Sequence, residues 1–194
     1  MTDRRVGILA LQGDFALHQA AFERLEAKTA LVKRPEELEG LDRLVIPGGE
    51  ATTMQLLIDE LGFRQPLIDF GRQRPVWGTC AGLILLAGEV TDSLISPLGL
   101  IDIRVERNAY GSQINSFIET GTVSLGQPEQ PLEMVFIRAP KIVDFSDKVV
   151  PLGRLGEDIT VARQDRILVS TFHPELTDQT VVHEYFLQLQ DTSL

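Results

Sequence analysis

Residues 74–89 read RPVWGTCAGLILLAGE. An apolar run suited to a buried strand meets a turn flanked by glycines, and a helical pattern follows. The turn holds Cys80, the only cysteine in 194 residues. Two other segments share this grammar. RVGILALQG (5–13) is a buried-strand pattern, after which Asp14 is placed to cap a helix carrying Phe15, His18, Phe22 and Leu25 on one face. LDRLVIPGGE (41–50) is an apolar run ending in Pro-Gly-Gly, and ATTMQLLIDELG (51–62) is a helical pattern that Gly62 stops. Strands alternating with helices predict a mostly parallel sheet covered on both faces.

The second half is richer in strand patterns, at 98–107, 134–140, 159–164 and 166–175, some of them expected as antiparallel additions. Residues 178–190 set Val181, Val182, Tyr185, Phe186 and Leu189 on one helical stripe, which should pack on the sheet. The expected fold is therefore α/β, a three-layer sandwich with a mostly parallel central sheet flanked by helices, forming one domain over residues 1–194. Ligands in such folds gather beyond the carboxyl ends of the strands. PGGE, GTCAG and FHPE all fall at predicted strand ends.

Composition narrows the function. Hydrophobic residues make up 43% and charged residues 24%, close to the average for a globular domain. Eighteen basic against twenty-eight acidic residues give a formal charge of -10, which repels phosphate backbones and anionic membrane surfaces. Nucleic acid and membrane are thus not expected partners. A single cysteine forms no internal disulfide, no secretory leader is legible in MTDRRVGILALQGDF, and no run approaches the roughly 20 apolar residues of a membrane span. A cytoplasmic location follows as the expectation.

A lone cysteine is commonly a small buried hydrophobe. GTCAG, however, fits the strand-to-helix elbow G-x-Nuc-x-G, in which glycines two residues either side relieve crowding. The elbow also sets Cys80 at a helix N-terminus, whose partial charge favours a thiolate nucleophile. Such a nucleophile needs a base, and three histidines are available. His18 and His183 fall within helical patterns and read as packed or solvated helix residues. His173 ends a strand in FHPE, and Glu175 two residues on would share its side of an extended segment that Pro174 favours. A carboxylate there holds an imidazole in one tautomer and stabilises its protonated form. Taken alone, His-Pro-Glu reads as a surface turn and Gly48-Gly49 as another. Combined with the elbow, the backbone N–H groups of Gly49 and Ala81 are placed to hold an oxyanion. No Walker loop, dinucleotide fingerprint or metal-ligand spacing is present, so no cofactor or metal is expected.

PGGE, GTCAG and FHPE, in that order, resemble the class I, triad-type glutamine amidotransferases. Within that class GILALQGDF, PGGEATT, GTCAGLILLA, VERNAYGSQ, FIRAP and FHPELTDQ are similar to the glutaminase subunit of pyridoxal 5′-phosphate synthase, from residue 6 to about 186. The resemblance implies hydrolysis of L-glutamine to glutamate and ammonia. The ammonia would pass to a (β/α)8-barrel synthase subunit that builds the cofactor from a pentose phosphate and a triose phosphate. It implies Cys80 as nucleophile, His173 as acid and base, and Glu175 as orienting carboxylate. Gly48, Gly49, Glu50, Arg107, Ile137 and Arg138 would contact the glutamine. Two positions depart from the family pattern: Ala51 stands where a serine is usual, removing a hydroxyl that could cap the next helix, and Ser112 where an arginine is usual. A non-catalytic relative predicts a damaged triad, whereas all three members are present. A cysteine hydrolase of another substrate has no use for the glycine loop and arginines as an amino-acid clamp.

Overall fold

The computed structural model describes residues 4–92, 94–107 and 116–190. Ser112 and the NAYGSQ part of the fourth motif lie outside the described residues. The first half runs β1 (Arg5–Leu9), α1 (Phe15–Arg24), β2 (Lys28–Val32), β3 (Arg43–Ile46), α2 (Ala51–Glu60), α3 (Arg64–Gln73), β4 (Val76–Thr79) and α4 (Ala81–Leu86). The second half holds β5 (Ala87–Val90), β6 (Ile101–Glu106), β7 (Ser116–Val123), β8 (Gln130–Ile137), β9 (Lys141–Phe145), β10 (Val150–Leu155), β11 (Asp158–Gln164), β12 (Ile167–Ser170) and α5 (Val181–Gln188).

The central sheet has the order β2-β1-β3-β4-β12-β11-β10-β7-β8. From β2 to β12 every pair is parallel, and from β12 outward every pair is antiparallel. A smaller sheet, β5-β6-β9, lies beside it. The strands β3, β4 and β12 are buried along their whole length, as their unbroken apolar runs require when helices cover both faces. Alternation then divides the core in two. Val45, Trp77 and Leu168 lie side by side in register and face α1 and α5 with Phe22, Val182 and Phe186. Leu44, Ile46, Val76 and Val169 face the other way, toward α2, α3 and α4 with Met54, Ile58, Phe63 and Leu67. The expected three layers are these.

Local structure departs from the sequence patterns at several points and follows them at Gly62. The first strand ends at Leu9, and Asp14 stands at the N-cap of α1 without a side-chain capping bond. Gly62, with φ 74°, does stop α2, its N–H donating to the Asp59 carbonyl. The helix after Cys80 is cut short at Leu86, because the N–H groups of Leu98, Leu100 and Gly99 donate to the carbonyls of Leu85, Leu86 and Ala87. Those donors come from a later segment, so tertiary bonding overrides a helical pattern there. β2, β7, β9 and β10 carry no strand pattern legible in the sequence; β7, for example, is largely exposed and lacks a clean apolar alternation.

The glycines around Cys80 are required by close approach. A Cβ on Gly78 would stand 2.5 Å from the Gly82 carbonyl carbon, and one on Gly82 would overlap the Ile46 carbonyl oxygen of β3. We predict that Gly82→Ala destabilises the fold by about 1–3 kcal/mol, lowering the thermal midpoint by several degrees. An unchanged calorimetric midpoint would mean that α4 can lift off β3 freely.

Candidate active site

The elbow begins where β4 ends. The N–H of Cys80 donates to the Ser170 carbonyl of β12 at 2.9 Å, and the Ile84 N–H returns to the Cys80 carbonyl at 3.2 Å to start α4. Between these bonds Cys80 adopts φ 48°, ψ -102°. A side-chain-bearing residue in that region stores on the order of 1–3 kcal/mol of strain, which the flanking glycines make tolerable. Cys80 is 6% exposed, and Sγ lies 3.8 Å from the Ile137 carbonyl at the end of β8.

His173 follows β12. Its N–H donates to the Val135 carbonyl of β8 at 2.8 Å, and its Nδ1–H donates to Glu175 Oε1 at 2.8 Å. Pro174–Leu176 form a 3-10 turn, so the pairing is not the extended one that the two-residue spacing suggests. The turn swings Glu175 back beneath the imidazole. Both side chains are buried. Burial works against the charge on His173, but its hydrogen bonds to Cys80 and Glu175, with their charges, raise its pKa to about 10. With Nδ1 committed to Glu175, Nε2 is the nitrogen left for the thiol. Burial also works against the Glu175 carboxylate, and His18 and His173 together hold its pKa below the ordinary value. Asp14 Oδ2 stands 3.9 Å from His173 Nδ1. Asp14, His173 and Glu175 bring ligand atoms within 4.8 Å of one another, yet a cation there would have to displace the proton that Nδ1 donates to Glu175.

The PGGE loop passes over this pair. A Cβ on Gly48 would overlap His173 Cε1 and lie 3.4 Å from Cys80 Cβ, whereas one on Gly49 would overlap the Gln12 side chain. Gly48 is therefore the member of the loop that closes over the cysteine and histidine. Glu50 is bound from several sides. Its carboxylate accepts from the N–H groups of Thr52 at 3.1 Å and Thr53 at 2.7 Å and from Thr53 Oγ1 at 2.8 Å, capping α2. Desolvation opposes its charge, but these donors bring its pKa down to about 2. The serine hydroxyl that Ala51 lacks is thus not needed as a cap; Ala51 is buried in the first turn instead. Arg107 reaches Glu50 Oε1 at 3.2 Å and Asp92 Oδ2 at 2.7 Å, so two residues expected to meet glutamine are brought together and paired with each other. Ile137 presents its carbonyl to the thiol, and Arg138, next to it, is exposed with φ 42°.

Several neighbours of the site had no clear signal in the sequence. Gln12 Oε1 accepts from the Glu50 N–H at 2.9 Å. Thr79 and His18 meet at 3.2 Å, and His18 Nε2 also stands 3.3 Å from Glu175 Oε2. The only trace of His18 in the sequence is that a polar side chain sits on an otherwise apolar helical face.

Such an elbow cysteine with a His-Glu pair on the neighbouring strand, in a doubly covered parallel sheet, is the layout of a glutamine amidotransferase. A crystal structure described as a glutamine amidotransferase superposes with a TM-score of 0.89 at 42% identity, over 95% of this chain and 97% of that one. The chain belongs to the SNO glutamine amidotransferase family, whose profile matches residues 8–191. Among curated relatives, the pyridoxal 5′-phosphate synthase subunit PdxT of Pelotomaculum thermopropionicum is 48% identical over 186 residues, covering 95% of this chain and 94% of that protein. The subunit of the same name from Thermosipho africanus is 43% identical over 186 residues, covering 95% and 98%.

Two predictions follow from the charges. The raised pKa of His173 means that its contribution to stability is complete below about pH 6.5 and is lost as pH rises through about 10. In an NMR titration of the three histidines, His173 should remain protonated through neutral pH, and alkylating Cys80 should lower its pKa by removing the leading cause of the rise. A His173 that titrates near 6.5 in the unmodified protein contradicts the pairing. Glu50 has the opposite sign: its depressed pKa stabilises above pH 4.5, and the effect fades as pH falls toward 2. Glu50→Ala should cost about 0.5–1 kcal/mol at pH 7, a modest figure because the side chain is half exposed, with the gap to the parent narrowing in acid. Paired thermal melts at pH 7 and pH 3 check it.

Proposed function

We propose that this chain is a single glutaminase domain that hydrolyses L-glutamine to L-glutamate and ammonia and delivers the ammonia to a synthase subunit for pyridoxal 5′-phosphate formation. The observation that carries the reading is His173, bonded through Nδ1 to Glu175 at 2.8 Å with Nε2 left for the strained Cys80, in a chain of this family. The names of the relatives support the pathway, and a (β/α)8-barrel is the partner that the sequence resemblance implies.

Cys80 Sγ attacks the side-chain carboxamide carbon of glutamine, forming a C–S bond and an oxyanion. The N–H groups of Gly49 and Ala81 hold that oxyanion. His173 Nε2–H gives its proton to the amide nitrogen, the C–N bond breaks and ammonia leaves. Water then adds to the thioester while His173 takes its proton, and glutamate departs as the cysteine is restored. Throughout, Glu175 holds the imidazole in the tautomer that faces the thiol and stabilises its cationic form. Gly48, Gly49, Glu50, Arg107, Ile137 and Arg138 form the substrate clamp; with Arg107 already paired to Glu50 and Asp92, the exposed Arg138 is the cation better suited to the substrate carboxylate. No metal or cofactor is used in this scheme. Among the described residues no helix is long and apolar enough to cross a membrane. A reducing, cytoplasmic setting suits an essential thiol.

Glutamate release from glutamine, measured with and without the synthase subunit, tests the proposal. Cys80→Ala and His173→Ala should each lose at least about 10³-fold in kcat, while Glu175→Gln, which orients and does not react, should lose less. Hydrolysis by Cys80→Ala at the parental rate would remove the nucleophile from the scheme.

A further inference from the structure

The triad uses one oxygen of Glu175. The other, Oε2, is buried and accepts no hydrogen bond among the described residues. A buried carboxylate oxygen without a donor is costly. The group that faces it is His18 Nε2 on α1, 3.3 Å away and fully buried. The same nitrogen stands 3.2 Å from Thr79 Oγ1, on the residue that precedes the nucleophile. On its other side, His18 Nδ1 lies 3.1 Å from His183 Nε2 on α5. The His183 ring is wedged edge-on between Trp77 and Phe22, with centroids 4.9 and 5.0 Å away.

Proton counting sets the direction of this chain. Burial lowers the pKa of both His18 and His183, the second well below its ordinary value, so each carries one ring proton at neutral pH. Between Nδ1 of one and Nε2 of the other only one proton fits. Placed on His183 Nε2, it is donated to His18 Nδ1, and the His18 proton must then sit on Nε2, facing Glu175 Oε2 and Thr79 Oγ1. His183 Nδ1 is left as a bare lone pair, in keeping with its having no partner among the described residues. The reverse arrangement would aim a lone pair of His18 at a carboxylate. The groups acting on His18 are Glu175 from the 3-10 turn, Thr79 and Trp77 from β4 and His183 from α5, with Asp14 and His173 acting through their charges. Arg24 acts on His183.

We propose that His18, locked in its Nε2–H tautomer by His183, is a positioning residue that holds the free oxygen of Glu175 and braces it to Thr79, beside the nucleophile. Glu175 would then be held at Oε1 by the His173 hydrogen bond and at Oε2 by the 3.3 Å approach of the His18 Nε2–H, whose hydrogen bond goes to Thr79, and this polar contact opposes rotation of its plane away from the His173 Nδ1–H. This deepens the glutaminase reading and rests on it.

The test is a double-mutant cycle in the full chain, assayed with the synthase subunit. His18→Met, which keeps the bulk and removes the N–H, should lower kcat about tenfold with KM unchanged, because the residue is buried away from substrate. His18→Gln, which returns an N–H near the same place, should recover most of the loss. In a Glu175→Gln background His18→Met should cost nothing further, since it acts through that carboxylate. An equal loss in both backgrounds marks a merely structural role and overturns the proposal, as does a parental kcat in His18→Met. Should His18→Met give no cooperative melt, His183→Leu, which frees the His18 tautomer, carries the same cycle. Long-range ¹⁵N spectra of the three histidines give an answer independent of turnover: His18 should show a protonated Nε2 and a bare Nδ1 at pH 7, and the opposite tautomer or an imidazolium overturns the assignment. Absence of glutamate release from the parent protein with its synthase would sink the glutaminase reading, while those spectra would still decide whether His18 faces Glu175 as a donor.

Discussion

Three backbones meet at Cys80 with no room for a side chain at either flanking position. β3 presents the Ile46 carbonyl to Gly82, and Gly82 in turn closes against Gly78, so β4 must reverse sharply into α4. The residue at the apex bears the strain of that reversal, at φ 48°, and its side chain is thrust out at the end of the sheet. The rest of the site is arranged around this point by the parallel register. Ser170 lies beside Thr79, so the strand that carries His173 emerges next to the strand that carries Cys80. β8 delivers the Val135 carbonyl to His173 and the Ile137 carbonyl to the thiol. A reactive geometry thus rests on packing among groups that take no part in chemistry.

The two acidic residues of the site show how environment divides labour between like side chains. Glu175 is enclosed by imidazoles and meets almost no water, so its charge is sustained mainly by His18 and His173. Glu50 is half exposed and its charge is spent on the first turn of α2 and on Arg107. The first can hold a proton donor in line; the second ties the glycine loop to a helix start and sets the charge of a cationic partner. Because Gly48 lies over His173 while Gly49 lies against Gln12, the loop is held between Cys80 and His173 on one side and the β1–α1 turn on the other. Any movement of that turn would be felt by the loop.

Much of this is legible in the sequence alone. Unbroken apolar runs marked the buried parallel strands, and the helical stripes of α1, α2 and α5 marked the flanking layers, because burial on two faces or on one leaves a periodic trace in a single segment. Cys80 with its glycines, His173 with Glu175 and the Gly48-Gly49 loop were readable for the same reason: each is a local motif whose residues lie within a few positions of each other. The early end of α4 left no such trace, since its carbonyls are taken by N–H groups from 98–100. Nor did the 3-10 turn that brings Glu175 under His173, or the pairing of Arg107 with Glu50 and Asp92. His18 and His183 are the sharpest case, legible only as helix residues and found side by side behind the Glu175 carboxylate. By itself the sequence determined which segments are strands and helices, which face of each is apolar, and which short motifs could carry a nucleophile and its base. Only the tertiary structure decided which polar groups from distant segments share a buried space, because hydrogen bonds and ion pairs between remote residues depend on the sheet order and register, and no periodicity within one segment encodes those.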